Sequence, residues 1–136
     1  MHETFDHTAD LGLRATATDL PTLFAEVAHA LFAVIVENPG AIVPAQEWHL
    51  DIAGDDREYL LFDWLRELLY RFDAAHLLFS RFDVTMRPDG LSAVIRGEPL
   101  EPGRHELSHE VKAITYHGLR VEQSSGGWLA EVIVDI

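Results

Sequence analysis

Leu11, Leu13, Ala15 and Ala17 alternate with Gly12, Arg14, Thr16 and Thr18. That two-residue period is the signature of a half-buried strand. The strand is entered from Phe5-Asp6-His7-Thr8-Ala9-Asp10. The period then changes. Asp19 supplies an N-cap, and Pro21 is tolerated in the first turn of a helix. Leu20, Leu23, Phe24, Val27, Ala28, Leu31, Phe32 and Ile35 share one stripe of it, and Asn38-Pro39-Gly40 ends it. Trp48, Leu50 and Ile52 alternate with His49 and Asp51 as a second strand, broken at Gly54. Asp55 and Glu58 form a D-x-x-E start resembling a capping box, with Asp55 at the cap. Leu61, Trp64, Leu65, Leu68, Leu69 and Phe72 follow as the strongest amphipathic helix of the chain.

The second half is strand-like. Leu77–Phe79 leads into Phe82, Val84 and Met86, which alternate with polar residues. Pro88-Asp89-Gly90 is a turn, and Leu91, Ala93 and Ile95 return as the other arm of a hairpin. Pro99–Arg104 reads as a loop and Glu110–Tyr116 as a strand. Gly118 marks a bend, and Ser124-Ser125-Gly126-Gly127 joins two further strands. The last of these, Trp128–Ile136, is apolar on both faces, as in a sheet interior. The expected order is β-α-β-α-β-β-β-β-β. Two helices cannot cover both faces of a large parallel sheet. The expected class is therefore α+β: one domain over 1–136, with two helices packed on a mainly antiparallel or mixed β-sheet.

Composition narrows the function. The chain has 136 residues, 48% of them hydrophobic, enough for one core. Its apolar runs, such as Ala30–Val36, fall well short of the ~20 residues that cross a bilayer. The N-terminus has neither a basic nor an apolar leader segment, so a cytoplasmic location is expected. Cysteine is absent, which excludes disulfides, thiolate zinc sites and cysteine nucleophiles. Acids outnumber bases 23 to 10, a net charge of −13. Such a chain repels polyanions, which argues against tight nucleic-acid or anionic-membrane binding. A cation or a basic protein is its natural companion, though on composition alone solubility or a salt-adapted source is the favoured account of the charge. P-loop, dinucleotide, zincin and nucleophile-elbow motifs are all missing.

Four features carry candidate chemistry. His7 and Asp10 stand three apart at a strand boundary, either as cation ligands or as caps of a turn. Asp135 lies one residue before Ile136. Its carboxylate and the α-carboxylate of Ile136 either share a cation or form a frayed, solvated end. If the first segment and the last strand are neighbours, Asp10 and Asp135 share one ion. Lys112 is the sole lysine, within an apolar stretch; it contacts phosphate or acidic groups, or makes a salt bridge at a strand edge. His105, His109 and His117 crowd one region and offer up to two ligands.

Six ordered segments then resemble the archease family, whose members activate RtcB-type tRNA-splicing ligases. They are His7-Thr8-Ala9-Asp10 with Leu11-Gly12-Leu13; Leu23-Phe24 through Leu31-Phe32; Leu60-Leu61 through Phe72-Asp73; Leu91-Ser92-Ala93 with Gly97-Glu98; Glu110-Val111-Lys112-Ala113-Ile114-Thr115-Tyr116-His117; and Trp128 with Val132–Ile136. The resemblance implies a non-catalytic, acidic α+β protein that binds a divalent cation. Calcium is the first candidate, with manganese, magnesium and zinc as others. It implies an RtcB-type RNA ligase as partner, in tRNA splicing or RNA repair. That ligase joins RNA ends through GMP carried on a histidine, using Mn²⁺ and GTP. The activator speeds guanylylation and permits multiple turnover. Asp10, Asp135 and Ile136 are then the metal-site residues and Lys112 the functional basic residue, with His7 and His117 as neighbours of the site. Glu37 departs from the family, many of whose members carry Asp there. The residues alone leave a second reading, a metal-dependent hydrolase built on the same carboxylates.

Overall fold

In the computed structural model all residues are described except Thr8 and Ala9, and Asp6 and His7 are described by backbone alone. The alternating segment near the N-terminus is a hairpin, not a single strand: β1 (His2–His7) pairs antiparallel with β2 (Asp10–Ala17). Asp19 then turns the chain into α1 (Leu20–Ile35), its carboxylate accepting from the Thr22 N–H at 2.8 Å. A short 3₁₀ turn at Pro39–Ala41 precedes β3 (Gln46–Ala53) and α2 (Arg57–Ala75). The α2 cap is Asp56, one residue later than the D-x-x-E pattern places it. Its Oδ1 accepts from the N–H groups of Glu58 and Tyr59 at 2.9 and 3.1 Å. Asp55 is left outside because the capping carboxylate needs extended backbone directly before the first helical residue.

β4 (Leu77–Arg87) and β5 (Gly90–Pro99) form the expected hairpin, with a bulge between Phe79 and Arg81. The expected strand at Glu110–Tyr116 is shorter: only Ala113–Ile114 pairs, as β6. β7 (Arg120–Ser124) and β8 (Gly127–Asp135) close the chain.

The strands form two antiparallel sheets where one was expected. The first runs β1-β2-β8, with β6 and β7 both paired along the far side of β8; the second runs β3-β5-β4. β8 is therefore interior, as its two apolar faces require. Leu13 and Ala15 of β2 and Ala130, Val132 and Val134 of β8 face a common core with the helices. Trp64 of α2 is fully buried, and its indole N–H donates to the Phe24 carbonyl of α1 at 3.0 Å, tying helix to helix. The opposite face of the five-stranded sheet is left outward, and that face carries the candidate site.

Candidate functional site

Strand register, invisible to periodicity, brings the two ends of the chain together. Asp10 pairs directly with Asp135 across β2 and β8, while His7 pairs with Asp10 on one side and Ala113 with Asp135 on the other. One row of residues thus crosses four strands at one end of the sheet. Directly opposed residues point to the same face, with Cβ atoms about 4.5–5.5 Å apart. Two carboxylates so placed repel each other, and a cation between them removes the repulsion. Both are half-buried, as is Ile136 beyond them.

Lys112 belongs to this corner. Its N–H donates to the Asp135 carbonyl at 2.7 Å, which fixes its backbone beside the pair. The side chain is exposed and makes no ion pair among the described residues. Thr115 clamps the same edge, its N–H and its Oγ1 both donating to the Ile133 carbonyl at 3.0 and 2.9 Å. His117 follows on an exposed turn, its N–H donating to Thr115 Oγ1 at 3.3 Å. The His7 side chain and residues Thr8 and Ala9 lie outside the described residues. Among the described residues no group of three or more His, Asp or Glu side chains converges.

Beside the carboxylate row, the outward face is knitted by a charge ladder. Arg14 donates to Glu3 at 2.8 Å and to Glu131 at 2.7 Å, and Arg120 donates to Glu131 at 2.6 Å and Glu122 at 2.9 Å. Burial pushes the Glu131 carboxyl up, but the Arg14 and Arg120 guanidiniums outweigh it and hold it below the usual range. The Phe5 ring lies over Gly12: a Cβ added there would meet the ring at 2.2 Å. The Arg14 guanidinium sits 4.4 Å from the centre of that ring.

A second charged cluster lay outside the sequence reading. Glu98, almost fully buried, accepts from both Arg104 terminal nitrogens at 2.7 Å, from the Val43 N–H at 2.7 Å and from His105 Nε2 at 2.9 Å. The Arg104 guanidinium is the main reason its carboxyl drops to about 2, against the opposing effect of burial. The Glu101 N–H donates to His105 Nδ1 at 2.9 Å, so Nε2 is the donor toward Glu98. His105 is thus consumed in holding the 100–106 loop. His109 anchors to the end of α1 through its N–H to Val34. The three clustered histidines of the sequence are attached to different elements and build no common ligand set. The Gly97-Glu98 pair at a strand end was the available signal for this cluster.

A family model described as the Archease protein family (MTH1598/TM1083) matches residues 2–136. A Methanopyrus kandleri "Protein archease" is 40% identical over 138 residues, covering 98% of both chains. A Pyrococcus furiosus "Protein archease" is 40% identical over 139 residues, covering 98% of this chain and 97% of its own. The solution structure of Methanobacterium thermoautotrophicum protein 1598 superposes with a TM-score of 0.87 at 38% identity, over 99% of this chain and 98% of that one. A Thermotoga maritima archease, described as a possible chaperone, shares the fold at a TM-score of 0.63 and 20% identity, over 100% of this chain and 98% of that one.

Proposed function

This chain belongs to the archease family, and we propose that it activates an RtcB-type RNA ligase, promoting guanylylation of the ligase with GTP and repeated turnover. It does so as a protein cofactor in tRNA splicing or RNA repair, not as the catalyst. The observation that carries the reading is the direct cross-strand pairing of Asp10 with Asp135 beside Lys112.

The residues fit a hard divalent cation. Asp10, Asp135 and Ile136 lie together at an open sheet end, and their oxygen donors suit calcium first, then magnesium or manganese. Calcium takes six to eight oxygens, more than these residues supply, so water or the ligase completes the shell. When bound, the cation supplies a concentrated positive charge for phosphate oxygens. Asp10 and Asp135 hold that charge at the sheet end, and Lys112 adds a second, mobile one. The net charge of −13 favours docking on a basic protein over gripping RNA.

The test separates metal from fold. Asp10→Asn and Asp135→Asn should abolish cation binding by calorimetry and lower activation at least tenfold, with melting temperature in chelator unchanged or raised. Lys112→Ala should lower activation while leaving cation binding intact. Normal activation by Asp10→Asn sinks the metal part of this reading. Metal-dependent hydrolysis by the protein alone would instead favour the hydrolase built on the same carboxylates.

A further inference from the structure

The chain has three tyrosines, Tyr59, Tyr70 and Tyr116, and all three are exposed, at 59%, 64% and 55%. None of their hydroxyls is hydrogen-bonded among the described residues. Tyr59 and Tyr70 are eleven residues apart on α2, three helical turns and about 16 Å along one face. Tyr116 comes from the segment that follows β6. Its ring stacks on Phe62 with centroids 3.9 Å apart and 14° between planes, and meets Tyr59 edge-on at 5.6 Å. Phe62 is buried, so the platform has a fixed base. An exposed aromatic surface of this kind leaves apolar area in contact with water. Tyrosine is one of the residue types enriched in protein interfaces and their hot spots.

Charge specifies the occupant. Asp63 lies one turn after Tyr59 on its own face of the helix, and the N-cap Asp56 lies one turn before it, its Oδ1 accepting from the Tyr59 N–H. Beyond them a cleft of about 560 Å³ opens between α2 and the edge strand β3, lined by Asp51, Asp63, Glu67, Arg66 and Tyr70. The nearby Arg57 is turned aside, its guanidinium 4.8 Å from the Trp128 ring centre. Tyrosine faces rimmed by carboxylates suit guanidinium groups, which stack on the ring and pair with the acid in one contact. Tyr116 stands two residues beyond β6, the strand that pairs with Asp135, so one short segment links the platform on the helix side of the sheet to the strand beside the carboxylate row on the other.

We infer that the outer face of α2, together with Tyr116, is the docking surface for a basic, arginine-bearing face of the protein partner. This inference rests on the ligase reading and names the surface that reading needs. Rigid aromatic anchors carry the affinity, and the surrounding acids set orientation and salt dependence.

The experiment titrates fluorescently labelled protein with the RtcB-type ligase of the same source, at two salt concentrations. Wild type is compared with Tyr59→Ala, Tyr59→Arg and the distant surface variant Leu107→Ala, with melting curves for each. The expected result is wild-type binding that weakens with salt, at least tenfold loss for Tyr59→Ala and a larger loss for Tyr59→Arg. Leu107→Ala should stay within twofold, and all melting temperatures should stay close to wild type. Wild-type binding with unchanged affinity for both Tyr59 variants overturns this surface and leaves the ligase reading standing. No binding by wild type overturns both. Tyr59-dependent binding of a single-stranded RNA oligonucleotide, or Tyr59-dependent self-association in sedimentation, also overturns it, by assigning the platform to RNA or to a second copy.

Discussion

Glycine at position 12 is a packing decision. Phe5 occupies the space a side chain would fill, covering the strand one row from the Asp10–Asp135 pair. Gly12→Ala should swing the ring outward and cost about 1 kcal/mol, a melting-point loss of a few degrees in a domain of this size. In the Phe5→Ala background the same change should cost almost nothing, and a double-mutant cycle reads the difference. Glu98 works in the opposite direction, as a buried charge that must stay paired. Its carboxyl falls from the ordinary 4.5 to about 2, chiefly through Arg104. A depressed carboxyl stabilises fully above its unfolded value and loses that stabilisation as pH drops toward its folded one. Stability should therefore decline between pH 4.5 and about 2. Glu98→Gln should flatten that decline and cost about 1–2 kcal/mol at neutral pH by taking from Arg104 one of its two carboxylate partners, Glu101 remaining at 2.8 Å, measurable by urea unfolding at neutral and acid pH. Asp10 and Asp135 were legible as candidates from residue type alone. Their pairing was not, because the register that opposes them links positions 125 apart in the chain.

Elements followed local pattern wherever the pattern was decided by burial. Both helices and the hairpin of β4 and β5 have the stripes their sequences carry, because one face of each meets the core. Ends were less legible. The D-x-x-E motif offers two adjacent aspartates with nearly the same local chemistry, and geometry selects Asp56. Asp56→Ala should accordingly cost about 1 kcal/mol, and Asp55→Ala only a few tenths, by thermal or urea unfolding. Equal losses would return the cap to Asp55. Glu110–Tyr116 has strand composition yet pairs only at Ala113–Ile114, since β8 shares that side between β6 and β7. β1 was missed because its residues are mostly polar. It lies at the sheet edge, where alternation with a buried face is weakest.

At the scale of the molecule, the sheet gathers the aspartate that opens β2, the aspartate that ends β8 and the sole lysine at one end, while α2 presents tyrosines rimmed by acids. A site of opposed carboxylates predicts linkage: calcium should raise the melting temperature of wild type by several degrees at concentrations well above its dissociation constant, and should leave Asp10→Asn unmoved. An equal shift in both would place the ion elsewhere. The most direct test of the whole account is RNA ligation by the RtcB-type ligase of the same source, with ligase limiting, GTP and Mn²⁺ present, and this protein added or withheld. About one product per ligase is expected without the protein and many with it. An unchanged yield from a demonstrably competent ligase would contradict the activator role.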